Sequence, residues 1–157
     1  MAKKFDYDFS GYATKANTLC YDGLTIAPDA FKGDDGRKVP VVWNHDHSDP
    51  EHVLGHALLQ NRKDGVYAYV KMNDSPSGQS ALEAVRSGDI DAMSIFANGL
   101  KKAGQTVMHG VIRELSLVLA GCNPGAVIDE IVEHSADYNA EEGEEAFIYT
   151  DGGISLK

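Results

Sequence analysis

Hydrophobic and polar residues alternate along much of this chain with a period of two rather than 3.6. Near the start, Phe5, Tyr7 and Phe9 alternate with Asp6 and Asp8. Alternation of this kind is typical of a half-buried β-strand, whose successive side chains point to opposite faces. The pattern predicts that the protein is built mainly from strands.

Further strands and one helix follow from the same patterning and from the turn residues between segments. The predicted strands cover residues 38–44, 53–61, 65–72, 90–100 and 107–120. Segments 53–61 and 65–72 form a predicted hairpin, because Gly65 in the connection can adopt a positive φ. The helix begins near Ser75, an N-cap residue followed by a proline, and ends at Gly88. We predict a mainly β (α+β) fold, an antiparallel β-barrel with one or two flanking helices.

Length and local composition predict one folded domain with an acidic tail. A chain of 157 residues can bury about two-thirds of its unfolded surface, which is enough for one core. After His134 the sequence holds five acidic residues between positions 137 and 145 and few apolar ones. We therefore predict a domain over residues 1–134 and a solvated acidic arm over residues 135–157.

Composition also argues against several classes of function. The net charge of −10 disfavours nucleic-acid binding, which relies on Lys and Arg. No apolar run approaches the roughly 20 residues of a membrane span, and no secretory signal follows the basic pair at the start. Two cysteines, Cys20 and Cys122, are too few for a disulfide framework and indicate a reducing compartment, although a single bridge stays open.

Three polar residues interrupt or end apolar strands in widely separated parts of the sequence. Ser94 lies inside a strand, His45 follows one, and Glu114 lies within another. A serine, a histidine and a carboxylate are the residue types that a nucleophile, a general base and a group orienting that base require. A neutral imidazole, with an ordinary pKa of about 6.5, can accept the serine proton at neutral pH. We predict that the three form a catalytic triad.

The sequence also offers rivals to Ser94 as the nucleophile and another role for Glu114. Ser116 is a rival serine that we interpret as structural, and Cys122 is a rival nucleophile that we interpret as a packing residue. Glu114 could instead form a salt bridge with Arg62 or Arg86.

The histidines admit a metal site as a further alternative. His45, His47, His52 and His56 lie close in sequence, and the last three are weaker candidates for the base. No cysteine lies nearby, and no His-Glu-x-x-His motif occurs, so we predict no metal and no cofactor.

Seven short motifs give the chain a resemblance to a known family. In order along residues 5–134 they lie at 9–13 (Phe-Ser-Gly-Tyr-Ala), 27–31 (Ala-Pro-Asp-Ala-Phe), 43–46 (Trp-Asn-His-Asp), 54–57 (Leu-Gly-His-Ala), 88–95 (Gly-Asp-Ile-Asp-Ala-Met-Ser-Ile), 113–118 (Arg-Glu-Leu-Ser-Leu-Val) and 123–126 (Asn-Pro-Gly-Ala). With these motifs the chain resembles the HK97-type prohead proteases of tailed phages, whose fold is related to herpesvirus assemblin. It departs from many members at Phe96, where they carry glycine two residues after the serine.

The resemblance implies a serine endopeptidase of phage capsid maturation. It would cleave the scaffolding segment of the major capsid protein and itself, inside the assembling procapsid in the host bacterial cytoplasm. It would associate into a dimer or higher oligomer, and its end at residue 157 would be processed or trimmed. A non-enzymatic capsid scaffold or assembly protein with the same barrel is the alternative.

The resemblance also extends to further site residues. The herpesvirus relatives use a second histidine as the third triad member, which makes His109 the alternative to Glu114. They also stabilise the oxyanion with a backbone amide from a loop at the place corresponding to Cys122 and Asn123. These two residues are therefore the candidates for the oxyanion hole.

Overall fold

Eight β-strands and one α-helix make up residues 5–132, the part of the chain that the computed structural model describes. Two short 3₁₀ turns also occur, at Lys32–Asp34 and Pro50–His52. The elements are, in order, β1 (Phe9–Lys15), β2 (Thr25–Ile26), β3 (Lys38–Trp43), β4 (Val53–Arg62), β5 (Gly65–Met72), α1 (Pro76–Arg86), β6 (Ala92–Ala103), β7 (Thr106–Val118) and β8 (Ile128–Ile131). The predicted acidic arm, 135–157, and the end of the predicted domain lie outside the described residues.

All eight strands belong to one mixed sheet. The strand order is β2-β7-β3-β4-β5-β1-β8, with β6 also paired to β7. Most neighbours are antiparallel, as predicted, but β2 and β3 each run parallel to β7. An isolated bridge between Ala92 and Val127 joins the start of β6 to the residues before β8, but β6 and β8 do not pair, so the sheet of the described strands does not close. The mostly β architecture with one α-helix is confirmed, and the predicted barrel is not.

Local sequence signals determine where the helix and the main hairpin begin and end. The Ser75 hydroxyl accepts the Gly78 N–H at 3.0 Å, which caps α1. Leu82 and Val85 of α1 are buried against the sheet core. Strands β4 and β5 pair without a register shift down to Arg62 opposite Gly65, which has a φ of 147°.

The core lies between the apolar faces of the strands and α1. Its largest fully buried side chains include those of Phe9, Phe31, Leu59, Met93 and Leu115. Burial of each such side chain stabilises the fold by about 1.5–3 kcal/mol relative to exposure. Among the described residues, no helix has the length and apolar character required to cross a membrane.

Strand β7 is the element that positions the site. It pairs with β3 on one side and with β6 on the other, so Ser116 lies opposite Val42 and also opposite Ser94. Neighbouring strands are about 4.8 Å apart. Residues at the end of β3 and at the start of β6 are therefore brought within side-chain reach of the same segment of β7.

Candidate active site

A tight turn directly after β3 carries His45 to the site. The Asp46 N–H donates to the Trp43 carbonyl at 2.9 Å, and both central residues have positive φ, 53° at Asn44 and 57° at His45. Positive φ at both central positions is characteristic of a type I′ turn. Outside glycine this conformation is uncommon, although Asn and His adopt it more readily than most residues. The turn reverses the chain so that His45 lies beside β7.

The backbone of His45 is held by the sheet as well as by the turn. Its N–H donates to the Ser116 hydroxyl at 2.8 Å, and the preceding Asn44 N–H donates to the Leu117 carbonyl at 2.9 Å. Ser116 is fully buried and its hydroxyl also donates to Glu114 Oε1 at 3.1 Å. Ser116 thus links the histidine backbone to the carboxylate, in line with its interpretation as a structural serine.

A continuous chain of hydrogen bonds joins Ser94, His45 and Glu114. His45 Nε2 lies 2.9 Å from Ser94 Oγ, and His45 Nδ1 lies 2.9 Å from Glu114 Oε2. A carboxylate can only accept, so Nδ1 carries the ring proton and Nε2 is left to accept from the Ser94 hydroxyl. The three residues predicted as a triad from the sequence lie together in the structure, with the imidazole between the hydroxyl and the carboxylate.

Strand alternation directs the Ser94 side chain away from the core. Met93 is fully buried, and Ile95 and Ala97 pack against the core, whereas Ser94 is partly exposed and Phe96 is 42 % exposed. Alternate residues of a strand point to opposite faces. The hydroxyl is therefore accessible to a peptide, while its neighbours hold the strand in place.

Glu114 is a buried carboxylate that remains ionised. It is 3 % exposed, and this burial opposes its negative charge. The hydrogen bonds from His45 and His47 outweigh the burial and lower the pKa of Glu114 below its ordinary value of 4.5. The alternative salt bridge to Arg62 does not form, because that guanidinium lies over the Tyr67 ring at 3.7 Å. The partners of the Glu114 carboxylate are thus histidines and Ser116.

His47 is a member of the site that the sequence interpretation missed. Its Nε2 lies 2.8 Å from Glu114 Oε2, the same oxygen that pairs with His45. The edge of the Phe96 ring contacts the His47 ring, with centroids 5.7 Å apart. Phe96, the departure from the family pattern, therefore covers a histidine that binds the carboxylate. The signal in the sequence is the His-x-His spacing after a strand, although the sequence alone makes His47 only a weaker candidate for the base.

The alternative third member, His109, lies elsewhere in the structure. It is exposed and pairs across the β6–β7 hairpin with Lys101, whereas Glu114 pairs with Phe96. Five residues along a strand correspond to about 16 Å. The structure therefore brings Glu114, and not His109, to His45.

The candidate oxyanion residues share a cavity with Ser94. Cys122 and Asn123 line this cavity of about 210 Å³ together with Ser94. The Asn123 side chain is engaged elsewhere, since its Nδ2 donates to Thr14 Oγ1 and to the Lys15 carbonyl, both at 2.9 Å. Any oxyanion contact from this loop would therefore come from backbone N–H groups.

The rest of the cavity wall is largely apolar. It is lined by aliphatic and aromatic side chains from β2, β6 and β7 and from the loops near them, including Leu24, Ile26, Phe31, Ile95, Leu100 and Val107. Apolar walls of this kind suit the side chain of a bound peptide. Ser94 is among the residues that line this cavity.

Both cysteines are free thiols at one end of this cavity. Cys20 and Cys122 form no disulfide, so the single bridge left open by the sequence is absent. Burial, together with the neighbouring charges of Cys122 and Asp22, raises the pKa of Cys20 to about 11. Cys20 is therefore a thiol at neutral pH.

Comparisons with known proteins identify a family and a similar fold. The family model described as caudovirus prohead serine protease matches residues 2–137. No curated protein matches the chain. Among solved structures, the KSHV protease in complex with a hexapeptide phosphonate inhibitor is similar, with a TM-score of 0.59 and 15 % sequence identity. The match covers 79 % of this chain and 64 % of that chain, and at this identity the likeness concerns the fold.

The family match therefore rests on most of the chain, and the structural similarity supports the same fold. The chain spans less than two-thirds of the KSHV protease chain. The resemblance seen in the sequence motifs is confirmed by both findings. The chain belongs to the caudovirus prohead serine protease family.

Proposed function

We propose that this chain is a serine peptidase that cleaves with Ser94 as nucleophile, His45 as general base and Glu114 as the group that orients the base. One observation carries the proposal: two hydrogen bonds of 2.9 Å join the three side chains in the order serine, imidazole, carboxylate. The shared Glu114 oxygen fixes the imidazole tautomer and would stabilise the imidazolium formed during the reaction.

The proposed reaction follows from these contacts. The Ser94 oxygen attacks the scissile carbonyl carbon while its proton passes to His45 Nε2. The tetrahedral intermediate collapses when His45 returns that proton to the leaving amine, and the C–N bond breaks to give an acyl-serine. A water molecule then attacks the ester, with His45 again accepting and returning the proton, and Ser94 is regenerated.

The carbonyl oxygen becomes negatively charged in the tetrahedral intermediate, so hydrogen-bond donors are required near Ser94 to stabilise it. We propose that backbone N–H groups of Cys122 and Asn123 supply them, because both residues line the cavity that contains Ser94. The loss of one such donor in an acyl-transfer enzyme reduces kcat by about 10²–10³-fold.

The proposed substrate is the scaffolding segment of the major capsid protein, together with the protease chain itself. The family to which the chain belongs supports action on a phage capsid protein within the procapsid. We further propose that this procapsid assembles in the host bacterial cytoplasm. The apolar cavity beside Ser94 favours peptides with an apolar side chain near the cleaved bond. We also propose that the protein associates with itself. The net charge of −10 argues against a nucleic-acid partner. We further propose that residues 135–157 form an acidic arm that is separate from the catalytic domain.

Co-expression with the major capsid protein tests this function. The parent should release the scaffolding segment, and Ser94→Ala should leave it attached. Glu114→Gln keeps the shape of the side chain without its charge, so cleavage should fall by about 10³–10⁴-fold while the far-ultraviolet circular dichroism stays unchanged. His109→Gln is the matched control and should cleave like the parent.

Two results would contradict the proposal. Cleavage by Ser94→Ala would assign the nucleophile to another residue. Assembly of capsids by the parent without any cleavage would favour the alternative of a non-enzymatic scaffold.

A further inference from the structure

Two thiols and a carboxylate cluster at the end of the cavity that holds Ser94. The Sγ atoms of Cys20 and Cys122 and a carboxylate oxygen of Asp22 all lie within 4.8 Å of one another. Within residues 5–132, no other group of three His, Cys, Asp or Glu side chains meets this spacing. None of the three residues is part of the proposed triad.

Backbone hydrogen bonds hold the two contributing loops in this arrangement. The Tyr21 N–H donates to the Cys122 carbonyl at 2.9 Å, which joins the loop before β2 to the loop after β7. Within the first loop, the Cys20 N–H donates to the Leu24 carbonyl at 2.8 Å, and the Leu24 N–H donates to Asp22 Oδ1 at 3.0 Å. Hydrogen bonds of the folded backbone therefore place the two loops, and with them the three residues, next to each other.

The chemistry of this donor set favours a thiophilic divalent cation. Tetrahedral Zn²⁺ binds sulfur at about 2.3 Å and carboxylate oxygen at about 2.0–2.2 Å, so its ligand atoms are about 3.5–3.8 Å apart. The present ligand atoms lie within 4.8 Å of one another and would have to move closer together to reach that spacing. Thiolate ligands select Zn²⁺ over Mg²⁺ or Ca²⁺, which prefer oxygen. Three protein ligands leave one coordination position open.

The cluster is placed where a bound cation would affect cleavage. Cys20, Asp22 and Cys122 line the same cavity of about 210 Å³ as Ser94. Gly121, directly before Cys122, lies so close to β6 that a Cβ atom there would be 2.7 Å from the Met93 carbonyl oxygen. A cation on Cys122 would therefore both occupy part of the peptide-binding cavity and hold the loop beside the nucleophile.

We propose that Cys20, Asp22 and Cys122 form a binding site for a thiophilic divalent cation, Zn²⁺ by its chemistry, and that occupancy of this site reversibly inhibits the peptidase. The binding stands independently of the proposed triad, and the inhibition rests on the proposed function. Such a site would keep the protease inactive until the cation is withdrawn.

Binding is tested first, in the Ser94→Ala protein with Co²⁺ as the spectroscopic probe. One equivalent of Co²⁺ should give thiolate-to-cobalt charge-transfer absorption, which Zn²⁺ should displace. Cys122→Ser and Asp22→Asn should each weaken binding by at least about tenfold, because each removes a ligand. Both positions are more exposed than buried Cys20, so these variants are better suited to keep the fold. His109→Gln is the control and should bind like the parent.

Inhibition is tested next, with the active protein and a peptide substrate. Zn²⁺ should suppress cleavage in the parent, a chelator should restore it, and Asp22→Asn should resist the metal. If the Ser94→Ala protein does not bind Co²⁺, or if binding is unchanged by Cys122→Ser and by Asp22→Asn, the proposed metal site is wrong. Inhibition that only a reductant reverses would assign the two cysteines to a disulfide instead.

The two proposals fail in different ways. If Ser94→Ala still cleaves, the proposed triad is wrong, yet the cobalt spectrum of that variant still reports on the site. If the triad holds and Zn²⁺ inhibits the parent and Asp22→Asn equally, the cation acts elsewhere.

Discussion

At the scale of single residues, Glu114 is the group on which the site depends. One of its oxygens, Oε2, faces both His45 and His47, and the other, Oε1, accepts from Ser116. A buried charge with this many partners would destabilise the fold if its partners were removed. The Glu114 carboxylate therefore contributes both to the stability of the fold and to the proposed reaction.

The lowered pKa of Glu114 predicts a pH-dependent contribution to stability. Because the pKa in the folded state is below the ordinary value of 4.5, the carboxylate stabilises the fold above that value, and this contribution is lost as the pH falls through the folded-state pKa. Urea unfolding of the parent and of Glu114→Gln should therefore differ most near neutral pH and converge on acidification. A difference that stays constant from pH 7 to pH 3 would show that ionisation of Glu114 contributes nothing.

His47 is predicted to be a positioning residue for the base. It binds Glu114 and not the substrate cavity, so His47→Ala should lower kcat by about 10–100-fold and leave KM near the parent value. His47→Gln, whose amide can donate to the same oxygen, should recover part of the rate. His109→Ala, at an exposed histidine outside the site, is the control. Equal kcat values for His47→Ala and the parent would show that His47 does not position the base.

At the scale of elements, the turn after β3 determines where the base lies. Asn44 and His45 both hold positive φ there, a conformation that costs L-residues with a bulky side chain about 1–2 kcal/mol. Asn44→Gly should keep both stability and activity. Asn44→Val should lower the free energy of unfolding by about 1–2 kcal/mol and displace His45, which reduces turnover.

The same substitution in an extended strand is the control for that experiment. Asn98 lies in β6 and is exposed, so Asn98→Val should change stability by no more than about 0.5 kcal/mol. Chemical denaturation of the three variants measures the difference. If Asn44→Val is as stable as Asn44→Gly, the turn conformation does not limit the site.

Local signals explain which elements could be predicted from the sequence. The β4–β5 hairpin and α1 were recognisable because Gly65 marks the turn of the hairpin and Ser75 and Pro76 mark the start of the helix. Within these elements, apolar side chains also recur at the regular spacing of a strand or of a helix. The two-residue β2 and the four-residue β8 carry no such pattern, and neither was predicted. Their pairing depends on distant partners.

Long-range pairing also limited the prediction of the site. The parallel contact of β3 with β7 joins segments about seventy residues apart, and no local period signals it. Ser94, His45 and Glu114 could be named because each is a polar residue in or after an apolar strand. The role of His47 could not, since its partner is defined only once β3 and β7 are side by side.

At the scale of the whole molecule, strand β8 is the last described element of the sheet. It pairs with β1, and its Asp129 and Glu130 accept hydrogen bonds from Tyr67 at 2.6 Å and Ser10 at 2.7 Å. The described fold therefore needs the chain at least as far as this strand. Residues 135–157, predicted from their composition to be a solvated acidic arm, lie outside the described part of the chain.

Truncation tests where the folded domain ends. Removal of residues 135–157 should leave a cooperative thermal transition within a few degrees of that of the parent, because the acidic composition of this segment predicts that it adds little to the core. Removal of residues 128–157 takes away β8 as well and should lower the transition strongly. Loss of cooperative unfolding in the shorter truncation would place the arm within the fold.

The most direct test of the account is covalent labelling with a serine-directed phosphonate. The reagent reacts with a serine that a neighbouring base has activated, and the labelled peptide is identified by mass spectrometry. The hydrogen-bond chain predicts a single label on Ser94, absent from Ser94→Ala and formed far more slowly by Glu114→Gln. A label on Ser116 or Cys122, or one that persists in Ser94→Ala, would contradict the proposed triad.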